Sequence, residues 1–260
     1  MLHVPQVVEL RPWEAGGGVR DLELAVTYMG LLRQRFLPLL RRAECQVILS
    51  PHLLESQRHV WLTLLREASI KRFQLQANLD RLAWGQSGDA SGLYLHLGAG
   101  GADLGLCLQG ETYRYSRLLV GEDALVVGLR SWLSGHLEET VSLTEAFRIF
   151  KVVVGEGLAF PSGRLVEVGC GEGAPSSRVS FEQEVLLQSI LALARPQFEA
   201  VESFVRSLDA REQAELFRGG LQLSGGAVSL QLWRDILTET FEFPVLLHET
   251  PSLAVLTGAV

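Results

Sequence analysis

The stretch LYLHLGAGGADLGLCLQGETYRYSRLL (93–119) alternates between apolar and other residues, with one interruption. Segments 93–97, 103–109 and 111–119 each repeat with a period of two, and the glycine cluster GAGG (98–101) separates the first two. A period of two puts successive side chains on opposite faces, which is strand geometry. Three such segments joined by short glycine-bearing turns predict an antiparallel meander. A meander alone is marginal in water, so the rest of the chain must supply further strands or a cover for its apolar face.

Upstream, the pattern changes to alternating helices and strands. Leu22, Ala25, Val26, Met29 and Leu32 recur at helical spacing behind Asp21, a suitable N-cap, and Pro38 ends that helix. CQVILS (45–50) is a continuous apolar run suited to a buried parallel strand. A second helix follows from Leu53 to Ala68, then a short strand FQLQ (73–76) and a third helix from Asn78 to Trp84. Residues 22–85 therefore read α-β-α-β-α, which favours a parallel sheet. VPQVVEL (4–10) suits a further strand, and GQSGDASG (85–92) has the composition of a linker.

Downstream of the meander, a helix is expected over about 122–134, and 142–178 is mixed. Ser180 with Gln183 has the form of a capping box opening a helix to about Leu208, interrupted at Pro196. LQLS (221–224) reads as a strand, 229–240 as a helix, PVLL (244–247) as a strand and 251–259 as a short apolar helix.

With 260 residues, the chain fits one large or two small domains. Hydrophobic residues at 47% against 20% charged allow a real core and argue against wholesale disorder. The net charge of −7 argues against a nucleic-acid partner, which needs a basic face. Cys45, Cys107 and Cys170 are scattered, which fits reduced thiols of a cytoplasmic protein rather than a disulfide frame or zinc site. The first residues do not form a secretory leader, and no apolar run approaches the ~20 residues of a membrane span.

Two glycine turns are the candidate chemistry. Glycine lets backbone N–H groups approach a phosphate closely, so GAGG (98–101) suits an anion, and a plain hairpin is an equal alternative. It is not a dinucleotide fingerprint, because a strand follows it and not a helix. In LQLSGGAVSL (221–230) a strand does run through a glycine pair into a helix, whose N-terminus attracts anions. His96 has no partner at metal-ligand spacing and is read as structural; Ser224 lacks the glycine of a nucleophile elbow.

Taken together, the order of elements and these motifs resemble the actin-like nucleotide-binding superfamily, most closely the bacterial MreB family, over nearly the whole chain. RPWEAGGGVRD (11–21) resembles the family's R-P-M-x-x-G-V-x-x-D stretch, and VILSPHLLESQRHV (47–60) its following segment. LHLGAGGAD (95–103) matches the second phosphate hairpin. LSGGAVSL (223–230) matches the adenosine motif, and HETPSLAVLTGA (248–259) matches the family's ending. The resemblance implies an α/β, actin-like (ribonuclease H-like) two-domain fold. Residues 1–91 would form a first domain lacking its first phosphate loop and outer subdomain, 92–250 the second domain, and 251–260 a closing helix. It also implies that Gly98, Gly100, Asp103, Lys151, Gly225 and Gly226 face a nucleotide.

The departures from the family pattern bear on activity. His96 replaces the metal-side Asp, Gly101–Ala102 replace a Thr pair, Asn78 stands at the catalytic Glu, and Arg148 stands at a Glu before the ribose-contacting Lys151. Mg²⁺ prefers oxygen ligands, and Asn is no base. The expectation is a pseudo-ATPase that takes ATP or ADP weakly and without Mg²⁺, acting as a cytoskeletal or scaffold protein linked to cell shape. The alternatives are a fragment of a true filament ATPase with a misassigned start, and a divergent sugar-kinase-like enzyme. Expected partners are a second copy or a full-length MreB-like protein. The stretch RQRFLPLLRR (33–42) adds a candidate peripheral contact with the inner face of the membrane through Phe36, Leu37, Leu39, Leu40, Arg41 and Arg42.

Overall fold

A computed structural model describes residues 18–36, 45–87, 91–155, 158, 162–171, 177–227, 229–249 and 251–252. The chain divides into two compact units, residues 1–78 and 79–260.

The first unit holds α1 (Leu22–Phe36), β1 (Cys45–Leu49), α2 (Pro51–Glu67) and β2 (Phe73–Ala77). Asp21 caps α1, its Oδ1 accepting the Leu24 N–H at 3.0 Å. α2 starts ahead of Leu53, at Pro51, because the Ser50 hydroxyl accepts the Leu53 N–H at 3.2 Å. Proline suits a first helical position, where its missing N–H would have had no partner. β1 and β2 pair in parallel, from Cys45 opposite Phe73 to Leu49 opposite Ala77. Ala25, Leu49, Leu53, Trp61, Leu64 and Leu65 form the core of this unit. β1 is less buried than its apolar sequence predicts: of its five residues, Leu49 alone is fully buried. Phe36 is the last residue of α1, while Leu37, Leu39, Leu40, Arg41 and Arg42 lie outside the described residues, as do VPQVVEL and 253–260.

The second unit is built on a five-stranded mixed sheet. Its strands are β3 (Gly92–Leu97), β4 (Ala102–Leu108), β5 (Glu111–Leu118), β8 (Leu221–Gly225) and β9 (Val245–Leu247), in the order β5-β4-β3-β8-β9. β3, β4 and β5 are the expected antiparallel meander. β8 then pairs in parallel with β3, and β9 in parallel with β8. The β4–β5 turn is tight, with Gln109 and Gly110 both at positive φ (53° and 81°), which suits the twist of a hairpin.

One face of this sheet carries Leu93, Leu95, Leu104, Leu106, Leu221 and Leu223 into a core. That core is shared with α6 (Gln183–Arg206), α7 (Ala210–Gly219) and α8 (Leu230–Thr240). On the other face lies α3 (Asn78–Ser87), where Leu79, Leu82 and Ala83 meet Tyr94 and Cys107. Gly105 makes room for it: a Cβ there would sit 2.5 Å from Leu79 Cδ1. The Asp80 carboxylate accepts the Thr112 N–H at 2.7 Å and the Thr112 hydroxyl as well. These contacts put α3, from Leu79 onward, with the second unit, where the linker composition of 85–92 had suggested a boundary. A second core joins α4 (Glu122–Leu137), α5 (Leu143–Val154) and the hairpin of β6 (Leu165–Cys170) and β7 (Ser177–Glu182) to the first half of α6.

Two expectations are corrected here. Ser180 caps nothing: it lies in β7 opposite Glu167, and α6 begins at Gln183 after Glu182 with no side-chain cap. Pro196 does not interrupt α6, which runs unbroken through it. An internal proline costs a helix about 3 kcal/mol. Here Leu186, Leu187 and Ile190 before it and Val201 and Phe204 after it are all buried, so packing on both sides holds the axis. The capping box of this region is Asp209 with Glu212, which opens α7, a helix that the hydrophobic pattern did not reveal.

Asp209→Ala should therefore lower unfolding free energy by about 1–2 kcal/mol. Ser180→Ala, at an exposed strand position, should change it by less than about 0.5 kcal/mol, and urea melts of both variants check the pair. A second expectation concerns the sheets. A two-stranded sheet is marginal, so amide exchange should find β1 and β2 opening before β3 and β8.

Candidate functional site

Because β3 and β8 run in parallel and in register, their ends coincide: Leu97 stands opposite Gly225. The turn at 98–101 and the glycine pair 225–226 thus leave the sheet side by side, at the carboxyl ends of two parallel strands, where α/β sheets hold ligands. Gly98, Gly100, Gly225 and Gly226 are brought together in this way. Gly225 adopts φ +121°, and a Cβ on it would lie 1.9 Å from the Leu97 carbonyl oxygen, so no larger residue fits. Its N–H donates to Pro251 O at 2.9 Å.

The hairpin turn closes on itself, the Gly98 N–H donating to Gly101 O at 2.9 Å. It also rests on the start of α4. Glu122 N–H donates to Gly98 O at 3.3 Å and Asp123 N–H to Ala99 O at 2.9 Å, so the turn's carbonyls cap the helix. Gly121 permits this approach, since a Cβ there would fall 2.2 Å from both Ala99 O and Gly101 N. From the first turn of α4, the buried Glu122 side chain crosses to α8 and accepts the Ser229 N–H at 3.0 Å. Gln197 of α6 is also buried and donates through Nε2 to Val120 O at 2.8 Å. Gly98, Gly121, Glu122, Gln197, Ser229 and Trp233 are among the residues enclosing a cavity of only about 10 Å³.

On the α3 side of the sheet, Ser224, His96, Asp103 and Arg117 stand in register across β8, β3, β4 and β5. His96 Nδ1 and Ser224 Oγ are 3.0 Å apart, and Arg117 is 3.5 Å from the Asp103 carboxylate. Burial pushes the His96 imidazolium down to a pKa of about 4, so the ring is neutral at physiological pH. A neutral imidazole beside a carboxylate already paired with a guanidinium is a poor magnesium site, since Mg²⁺ takes oxygen ligands and sheds water reluctantly. Among the described residues, no three His, Cys, Asp or Glu side chains cluster closely enough to hold a metal ion.

Lys151 is not brought to the turns by any described contact. It lies exposed on α5, whose other face buries Ile149, Phe150 and Val153. One turn earlier, Arg148 is held by Glu145 at 2.7 Å and also donates to Glu167 O. The Arg148 hydrogen bond, with help from the Gly169 N–H, holds the Glu145 carboxyl below its usual range. Asn78 opens α3, and its side chain is buried. Sequence reasoning missed Glu122, Gln197 and the His96–Ser224 pair. Each acts on a group more than seventy residues away, and no local spacing announces it.

The architecture can be compared with solved structures. A MreB5 of Spiroplasma citri bound to ADP superposes with a TM-score of 0.83 at 14% identity, covering 96% of this chain and 77% of that one. The fold is actin-like. MamK in a double helical filament gives 0.70 at 15% identity, over 95% of this chain and 78% of that chain. EutJ, an ethanolamine utilization protein of Carboxydothermus hydrogenoformans, gives 0.60 at 13%, over 96% and 77%. No protein-family model and no curated protein matches the sequence. The actin-like fold agrees with the resemblance carried by the two glycine turns. Among the described residues, no helix is long and apolar enough to cross a membrane.

The His96 shift sets a pH dependence. A folded pKa of about 4 against an ordinary 6.5 means that the unfolded chain takes this proton first. The contribution is complete above about pH 6.5 and is lost as the pH falls toward 4, by up to about 3 kcal/mol. Urea melts across that window should show His96→Gln with a flatter decline than the unaltered chain.

Proposed function

We propose that this chain is an actin-like cytoskeletal or scaffold protein, linked to cell shape, that binds adenine nucleotide weakly and does not hydrolyse it. The observation that carries this reading is the row on the α3 face of the sheet. The resemblance puts a metal-side carboxylate at the hairpin, and the chain has a neutral His96 bonded to Ser224 there, with Asp103 engaged by Arg117. Phosphoryl transfer to water needs a metal to neutralise the phosphates and a group to orient the nucleophile. Neither is supplied by this row. Self-association is part of the proposal and is supported by the likeness to MamK, solved as a double helical filament. A membrane contact through residues 33–42 rests on their sequence alone.

The test is phosphate release from ATP with Mg²⁺ by purified protein. The expected rate equals that of a heat-denatured sample. A turnover that follows the chain through gel filtration and falls in a His96→Leu variant would overturn the proposal.

A further inference from the structure

MreB5 of Spiroplasma citri is solved with ADP and with AMPPNP. Here Gly98, Glu122, Gln197 and Ser229 line a cavity of about 10 Å³ beside the hairpin turn. That admits one water at most.

We propose that Glu122 is a built-in anion whose carboxylate occupies the N-terminus of α8 and keeps nucleoside phosphates out of this unit. The inference rests on the actin-like reading above for where a nucleotide would lie. Three observations carry it.

The first is the bond itself. α8 has 11 residues, so its N-terminal N–H groups form a positive end that attracts an anion. The buried Glu122 carboxylate already accepts from the first of them, Ser229. An incoming phosphate would have to displace a charge held in place by the fold.

The second is the anchoring of Glu122. Its own N–H is bonded to Gly98 O, and the preceding Gly121 touches the hairpin backbone. The backbone from which the carboxylate reaches α8 is therefore tied to the 98–101 turn. The third is the lining of the cavity. Gln197 is 4% exposed, and its Oε1 has no hydrogen-bond partner. An amide oxygen and a carboxylate facing one small space both repel a phosphate, and both suit a hydrogen-bond donor.

The experiment compares the unaltered chain with Glu122→Ala and Glu122→Gln by calorimetry, using ADP and adenosine as probes without Mg²⁺. Gln keeps the shape and the acceptor but removes the charge, so it carries the test if the Ala variant does not fold. Both variants should bind ADP at least about tenfold more tightly than the unaltered chain, the scale of one helix-end charge interaction. Adenosine, which has no phosphate, should gain less. Thermal melts add an independent readout: acetate should raise the melting temperature of Glu122→Ala more than that of the unaltered chain, by refilling the vacated anion position. ADP binding equally to all three proteins, or acetate stabilising all of them alike, would overturn the assignment. Phosphate release is measured separately, so loss of this inference leaves the proposal on hydrolysis standing.

Discussion

The parallel pairing of β3 with β8 joins residues 128 positions apart, as the His96–Ser224 bond records. Closing a loop of that length costs about 4 kcal/mol of chain entropy before any contact rewards it. The reward is the centre of the sheet. Leu93, Leu95 and Leu97 meet Leu221 and Leu223 in one buried layer, and α6, α7 and α8 close over it. Everything at the candidate site follows from this pairing. The two glycine turns are neighbours because their strands are neighbours, and Gly225 is glycine because Leu97 O lies where its side chain would be.

The opposite face of the same sheet obeys other rules. Ser224, His96, Asp103 and Arg117 form a polar line across four strands beside the apolar contact of α3. A polar group shielded from water is tolerated only when it is partnered. The line answers this from within: His96 is kept neutral and bonded to Ser224, and Asp103 is kept beside Arg117. Such a row stabilises the fold, and it leaves little unengaged carboxylate for a metal.

What the sequence discloses and what it conceals divide by distance along the chain. The meander was legible because a period of two and a tight turn are local signals, and α1 because Asp21 and the helical spacing of Leu22, Ala25 and Met29 agree. The glycine turns were legible as candidates through their composition, and their adjacency through the resemblance. The start of α6 was misread because Ser180 and Gln183 have the spacing of a capping box. Pairing of β7 with β6 competes for the same residues, and the sheet wins through Val166, Val168 and Phe181 packing on the second core. Residues 22–85 gave the right alternation, but not the place of α3, which is decided by Gly105 and Thr112 on distant strands. Glu122 illustrates the limit. In sequence it is one more acid at a helix start, and only the fold brings the Ser229 N–H, 107 residues on, to its carboxylate.

A ligand that binds only the folded state stabilises it by mass action, and a site built around that ligand has loose ends without it. The described ends at this site are tied to the chain itself. The first N–H groups of α4 are taken by Gly98 and Ala99 carbonyls, the Ser229 N–H of α8 by Glu122, and the Gly225 N–H by Pro251 O. Each bond is modest, about 1 kcal/mol net, but together they remove the reason for a ligand to order this region. The actin-like architecture is thus held together at this point by the chain's own bonds, which join the hairpin, α4 and α8.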